Sequence, residues 1–237
     1  MINTPLLKLE AQKIGITLDE TALFRFDKYA EMLVETNKTL NLTAITEPDE
    51  IIYKHFIDCL SLLTIINLEN GAKVIDVGTG AGFPGVVLLI ARPDLQITLL
   101  DGTNKRLVFI NNVLNELGLN ADIVHFRAEL AGKDDRFREK YDLVTARAVA
   151  YMNTLSEYCL PFTKIGGYFI PMKASKGDEE LINSEAAIKI LGGKIIDIKH
   201  IDIENCGERT FIITEKISHT PSKYPRASAQ ISKKPLV

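Results

Sequence analysis

The segment Val74-Ile75-Asp76-Val77-Gly78-Thr79-Gly80-Ala81-Gly82-Phe83-Pro84-Gly85 constrains the fold more than any other part of the chain. A short β-branched run breaks into a burst of glycines and then into an apolar, helix-compatible stretch, which reads as a strand, a tight loop and a helix start. Glycine serves where the backbone turns at positive φ or approaches a ligand closely, and a helix start presents unpaired N–H groups. The loop therefore reads as a site for a nucleotide-like molecule, with a purely structural strand-to-helix turn as the plainer alternative. The dinucleotide spacing G-x-G-x-x-G needs glycine at the position of Phe83, whereas the third glycine here is Gly82. A loop of that spacing, preceded by Asp76, suits a ligand with a cationic amino-acid end and an adenosine end. S-adenosyl-L-methionine has both. Asp101 closes the next apolar run, Gln96 to Asp101, at the usual distance for an acid that accepts hydrogen bonds from ribose hydroxyls. Asp76 either meets the ligand or holds the loop through a hydrogen bond.

Downstream of Ala72 the pattern alternates, with strands predicted at 72–77, 96–101, 121–126, 141–146, 166–172, 193–203 and 209–216 and helices at 84–92, 104–118, 151–160 and 178–191. Such alternation predicts an α/β fold with a mainly parallel sheet and helices on both faces. Ligands in these sheets lie outside the carboxyl ends of the strands, where strand order reverses. Asp76, Gly78, Asp101, Arg127, Ala128, Glu129 and Arg147 all fall at such ends and are expected in one crevice. The first seventy residues have helical periodicity: Leu6, Leu7 and Ile14, then Leu23, Phe26, Ala30 and Leu33, then Ile52, Phe56, Leu60, Leu63 and Ile66. The third helix is expected to start near Pro48. Its stripe leaves Lys54, Asp58 and Ser61 on the other face, either against a substrate or solvated with a Lys54–Asp58 pair.

With 237 residues, nearly half of them apolar, the chain can bury a full core. Its formal charge of −3 supplies no global basic field, so contact with nucleic acid requires a local patch. The segment after Glu215 offers one, carrying Lys216, Lys223, Arg226, Lys233 and Lys234 with no acid, or else it is a solvated end. No apolar run approaches the length of a membrane span, and no secretory signal is visible. Cys59, Cys159 and Cys206 lack metal-ligand spacing and read as small buried residues in a reducing compartment; no metal site is expected.

Motifs that are missing narrow the chemistry of a methyl transfer. An exocyclic amino group is served by an Asp/Asn-Pro-Pro-aromatic turn after the fourth strand, but that strand runs Asp142-Leu143-Val144-Thr145-Ala146-Arg147-Ala148. Carbon-5 of a pyrimidine needs a cysteine nucleophile, and no cysteine stands at a strand end. A ring nitrogen with a free lone pair, such as N7 of guanine, needs only positioning and removal from stacking and water.

Asn41-Leu42-Thr43-Ala44, Lys54-His55-Phe56-Ile57-Asp58, the glycine loop, Lys105-Arg106, Arg127-Ala128-Glu129, Arg147-Ala148-Val149-Ala150, Lys173 and Tyr224-Pro225-Arg226 occur in this order. Together they closely resemble the ribosomal RNA small subunit methyltransferase G family, also called glucose-inhibited division protein B, over essentially the whole chain. The resemblance implies a cytoplasmic enzyme with a Rossmann-like S-adenosylmethionine-dependent methyltransferase fold and a seven-stranded sheet. It further implies a helical extension at 1–70, a methyltransferase domain at 71–216 and a basic tail at 217–237. The implied reaction methylates N7 of one guanosine in the 530 loop of 16S ribosomal RNA, in the small subunit or an assembly intermediate, by a monomer without a membrane contact. Carried over residue by residue, Gly78, Phe83, Ala128, Glu129 and Arg147 look like cofactor positions, with Asp101 on the ribose and Asp76, Gly80 and Gly82 completing the loop. Asn41, His55, Arg127, Arg147 and Lys173 look like the catalytic polar lining: the arginines on phosphate or the guanine edge, Asn41 and His55 orienting the extruded base.

The tail departs from the family pattern. After Tyr224-Pro225-Arg226 relatives continue with a lysine, a glycine and a proline, while this chain reads Ala227-Ser228-Ala229-Gln230-Ile231-Ser232. Truncation after Ile217 is expected to weaken RNA binding and to leave cofactor binding nearly intact. The competing readings are a methyltransferase of another acceptor and a non-catalytic RNA-binding assembly protein; a nicotinamide oxidoreductase conflicts with the glycine spacing.

Overall fold

The computed structural model describes residues 1–147, 150–174 and 184–236. β1 (Lys73–Val77), β2 (Gln96–Asp101), β3 (Asp122–His125), β4 (Tyr141–Arg147), β5 (Thr163–Ala174), β6 (Gly193–Ile203) and β7 (Gly207–Lys216) form one seven-stranded sheet in the order β3-β2-β1-β4-β5-β7-β6. The first five strands pair in parallel, and β7 runs antiparallel to both β5 and β6. Strand order reverses between β1 and β4, so the crevice expected for such a sheet opens beyond the carboxyl ends of those two strands. The predicted strands all appear. β5 begins three residues before the predicted 166, because Thr163 pairs with Tyr141 ahead of a register shift.

Each face of the sheet has its own core, as alternating side chains on a two-sided strand require. Val74, Leu99 and Leu143 face α5 (Gly85–Ala91) and α6 (Asn104–Leu117), together with the amino-terminal helices α1 (Thr4–Lys13) and α2 (Glu20–Leu40). Ile75, Val77, Leu100 and Val144 face the layer of α7 (Ala128–Ala131), α8 (Met152–Cys159) and α9 (Glu185–Ile190), and the last helix, α10 (Ser228–Lys233), packs on α8. The extension at 1–70 thus shares a core with α5 and α6. The predicted helix at 178–191 is described only from residue 184 onward; its first part, like Ala148 and Val149, lies outside the described residues. The short α7 and α10 had no periodic signature.

The third amino-terminal helix departs from the expected single α-helix. After α3 (Pro48–Ile51) the chain widens into a π-helical turn, Ile52–Ile57, returns to α in α4 (Asp58–Leu60) and tightens to 3-10 over Ser61–Thr64. Because π turns insert residues into the helical repeat, the periodic reading of its faces fails from residue 52 onward. Asp58 and Ser61 are buried, and Lys54 pairs with Glu50 rather than Asp58. The solvated-face alternative is therefore excluded for Asp58 and Ser61.

The tail is docked. Arg226 forms a two-pronged ion pair with Glu157, whose side chain is fully buried, while Arg138 donates to the carbonyls of Thr220 and Tyr224 at 2.6 and 2.9 Å. Tyr224 and Ile231 are buried, and the Lys216 ammonium is enclosed beside Leu160 O, Thr220 Oγ1 and Glu139. Two of the five basic residues proposed for a surface patch are thus structural. Lys223, Lys233 and Lys234 remain exposed.

Candidate active site

The glycine loop is built from below. Asp76 Oδ2 accepts hydrogen bonds from Thr79 Oγ1 at 2.7 Å and Gly85 N at 2.8 Å, fastening both ends of the loop. Burial pushes the carboxyl up to about 6, against these hydrogen bonds. Gly78, just before the first anchor, and Gly80 and Gly82, between the two, take φ of +74°, +61° and +103°. A Cβ on Gly82 would stand 2.6 Å from Val86 Cγ2 and 2.8 Å from the Tyr29 hydroxyl, whereas one on Gly80 would meet nothing nearer than 3.9 Å. Gly82 is therefore closed against the extension, and Gly80 faces open space. Tyr29, fully buried in α2, donates to Ala81 O at 2.6 Å and packs among Phe56, Phe83 and Phe109.

Two adjoining cavities occupy the crevice. The larger, about 520 Å3, is bounded by Gly78, Gly80, Phe83, Asp101, Arg106, Arg127 and Arg147, with Thr43 and His55 on its wall from the extension. The smaller, about 200 Å3, is lined by Leu100, Phe126, Ala128 and Glu129, with Tyr158 from α8 and Ser228 from α10. Gly78, Asp101, Gly102 and Arg127 line both. Asp101 Oδ2 accepts from Gly80 N at 3.0 Å and Oδ1 from Thr103 N at 2.7 Å, so this acid stands between the cavities and ties the loop to β2.

The π turn delivers His55 to this wall. Its ring stacks on Phe83 with centroids 4.3 Å apart, and its Nδ1 lies 3.0 Å from Arg147 Nη2. A guanidinium always carries its protons, so Nδ1 must accept, and Nε2–H must donate to Thr43 Oγ1, 2.9 Å away. Burial and the Arg147 charge push His55 down to about 3. Arg147 also donates from Nη1 to Lys54 O at 3.1 Å and to Asp58 Oδ2 at 3.0 Å, and it lies 4.8 Å above the Phe83 ring. Asp58 Oδ1 accepts from Arg209 Nε at 2.6 Å, so one buried carboxylate joins two arginines from distant strands. Arg209 in turn leans on Cys206 in the β6–β7 turn. Cys59 and Cys159 are fully buried, and burial pushes their thiols up.

The predicted site is thereby sorted. Gly78, Gly80, Phe83, Asp101, Arg127, Ala128, Glu129, Arg147 and His55 line the crevice. Asp76 and Gly82 do not: the carboxylate lies beneath the loop, where only the alternative reading of a loop brace holds, and Gly82 turns against Tyr29. Asn41 lines neither cavity; it ends α2 in the left-handed conformation at φ +48°, which asparagine tolerates, and Leu42 and Thr43 reach the wall instead. Lys173 is also off the lining, buried with its ammonium on Ala150 O, so it braces the chain after β4. Arg147 is no open phosphate clamp, since its guanidinium is engaged by Lys54, His55 and Asp58. Thr43 and Arg106 enter the sequence reading only inside the motifs Asn41-Leu42-Thr43-Ala44 and Lys105-Arg106, without a role of their own, and Tyr158 and Ser228 carry no local signal because they meet through the docked tail.

The two shifted groups make opposite contributions to stability. His55 has its folded pKa lowered, so its contribution is full above 6.5 and is lost as pH falls toward 3. Asp76 has its folded pKa raised, so its contribution is full below 3.8 and is lost as pH rises through about 6. In urea unfolding, His55→Gln flattens the rise of stability from about pH 3 to 6.5 and Asp76→Asn steepens it. Unchanged slopes in both variants would contradict the assigned protonation states.

The sequence model for rRNA small subunit methyltransferase G matches residues 23–211. A protein of that name from Desulforamulus reducens is 45% identical over 232 residues, covering 97% of each chain. Another, from Alkaliphilus metalliredigens, is 46% identical over 233 residues, covering 98% of each. Among solved structures, the chain is similar to a SAM-dependent O-methyltransferase from Thermotoga maritima, with a TM-score of 0.53 at 14% identity over 80% of this chain and 72% of that one, a likeness of fold. Taken with the glycine loop and strand order, these likenesses place the chain in the rRNA small subunit methyltransferase G family.

Proposed function

We infer that the protein transfers a methyl group from S-adenosyl-L-methionine to small-subunit ribosomal RNA, and that the acceptor is N7 of a guanosine in the 530 loop of 16S RNA. The residues present suit the cofactor: an open-sided glycine at Gly80, an acid between the two cavities at Asp101, and a largely apolar recess at Leu100, Phe126 and Ala128. When bound, S-adenosyl-L-methionine supplies an electrophilic methyl group on a sulfonium. Gly78, Gly80 and Phe83 would border its amino-acid end, Asp101 its ribose, and Ala128 and Glu129 its base.

One observation carries the acceptor assignment. Among the described residues lining the larger cavity, the carboxylate of Asp101 and the imidazole of His55 already accept protein N–H bonds, and His55 stays neutral. Neither is poised as a general base, which suits a nucleophile with no proton to lose. Guanine N7 attacks through its ring lone pair, so the protein has only to orient the base, exclude water and hold the backbone. Arg127 and Arg106, both well exposed at the mouth, are the side chains that would meet RNA phosphate or the guanine edge. The Thr43 hydroxyl accepts from Ile45 N and His55, which leaves its own proton for a base acceptor.

The experiment is methyl transfer from labelled cofactor to small subunits lacking their own modification, followed by chemical cleavage at N7-methylguanine. A single cleavage in the 530 loop is expected. Transfer elsewhere would reassign the acceptor, and cofactor binding with no transfer to subunits or naked RNA would favour the assembly-protein reading. A cytoplasmic monomer fits this role, and sedimentation of the free protein tests the second term.

A further inference from the structure

Tyr151 is the most exposed aromatic residue among those described, open to solvent over 75% of its surface. Neither its ring nor its hydroxyl has a partner among the described residues. A lone apolar side chain in solvent is ordinary, so it is the place of this one that carries meaning. Tyr151 follows Arg147 by four residues and therefore lies within about 14 Å of the carboxyl end of β4. The backbone there is held from both sides. Ala150 O accepts from the Lys173 ammonium near the end of β5, and Tyr151 O accepts from Leu155 N at 2.8 Å in the first turn of α8. The residue thus has a fixed position at the crevice end of the sheet, outside the lining of both cavities.

Arg106 and Arg127 stand on the connections that follow β2 and β3, and Tyr151 stands on the one that follows β4. Only β1 separates β2 from β4, which sets those two strands about 10 Å apart. The rim of the crevice is therefore cationic on one side and carries a flat, uncovered ring on the other. A single strand of RNA crossing this opening finds phosphate contacts first and a stacking surface second. Such a surface has a use in a reaction on an extruded base. Lifting a guanosine out of its stack uncovers the face of its neighbour, and an aromatic side chain can cover that face again.

We propose that Tyr151 is an RNA-binding residue whose ring stacks on the base next to the extruded guanosine. This rests on the reading of the protein as a methyltransferase of small-subunit RNA. Because the ring lies outside both cavities, it holds a flanking base and not the reacting one. It acts on the capture of RNA and leaves the transfer step alone.

The test is methyl transfer to small subunits lacking their own modification, with KM and kcat measured for the full chain and for Tyr151→Ala, Tyr151→Leu and Tyr151→Phe. Calorimetric binding of S-adenosylhomocysteine to each protein is the control for an intact cofactor site. Tyr151→Ala and Tyr151→Leu are expected to raise KM for the subunit about tenfold, with kcat and S-adenosylhomocysteine affinity at wild-type values. Tyr151→Phe is expected to keep the wild-type KM, since the ring and not the hydroxyl makes the stack. The dependence of binding on salt keeps its wild-type slope in all three, because no phosphate contact is lost. A wild-type KM in Tyr151→Ala, or equal KM values in Tyr151→Leu and Tyr151→Phe, would overturn the assignment and leave the methyltransferase reading standing. Wild-type protein that bound S-adenosylhomocysteine and transferred nothing to the subunits would overturn the acceptor reading and this assignment with it.

Discussion

Arg147→Ala lowers methyl transfer to small-subunit RNA by about a hundredfold or more, because the variant loses the joint that holds the extension against the sheet. Arg147 at the end of β4 meets the Lys54 carbonyl, His55 and Asp58, all on the helical run that carries the outer wall of the larger cavity. Removing it leaves Asp58 buried with Arg209 alone, frees His55 from the charge that helps to keep it neutral, and strips the cation from the face of Phe83. Loss of a charged hydrogen-bond partner costs about 2–3 kcal/mol, or roughly 5–10 °C in melting temperature for a chain of this size. Arg147→Lys does not restore activity, since a single ammonium cannot reach a carbonyl, a carboxylate and an imidazole in one plane. Because the contacts are positional, the loss appears in kcat at saturating cofactor as well as in cofactor affinity. A variant that melted lower but turned over normally would show that this joint supports the fold and not the reaction.

Deleting the residues after Ile217 destabilises the protein by about 3–5 kcal/mol and weakens cofactor binding, rather than affecting RNA affinity alone. The charge pattern suggested an appendage for RNA, but the fold makes the segment part of the body. Its removal leaves Glu157 fully buried without Arg226, takes Thr220 from the enclosed Lys216, and opens the recess lined by Ser228. Arg226→Ala alone is expected to reproduce most of the stability loss in urea unfolding. Combining it with Glu157→Leu recovers part of that loss, since an apolar replacement of both partners leaves no stranded charge. If the truncated chain melted normally and bound S-adenosylhomocysteine normally, the tail would return to the role that its lysines suggested.

What could be read in advance, and what could not, follows the range of the interactions. The glycine loop, the strand ends and the Asp101 position are local signals: a few adjacent residues dictate backbone turns, and the parallel sheet then gathers them into one crevice. Asp76 was ambiguous because the same short segment serves a carboxylate that contacts a ligand and one that pins a loop, and only its burial decides. His55 and Asp58 were noticed as a cluster, but the π turn changed which way they face. Arg209, Tyr158 and Ser228 were beyond reach of periodicity, since their partners lie far along the chain and meet only when β7 and the tail have docked. Lys216 and Arg226 count in the sequence as charge but not as surface, because buried contacts such as the Arg226–Glu157 ion pair leave no mark on composition.

The reach of Arg209 back to Asp58, across 151 positions of sequence, also bears on how the protein is made. A growing chain has its glycine loop and amino-terminal helices long before the strand that completes the buried charge network, and it has Ser228 later still. A nascent fragment that stops short of β7 and the segment carrying Ser228 therefore cannot hold a finished pocket, and the site comes into being only as these late segments settle against the first seventy residues, α8 and the sheet.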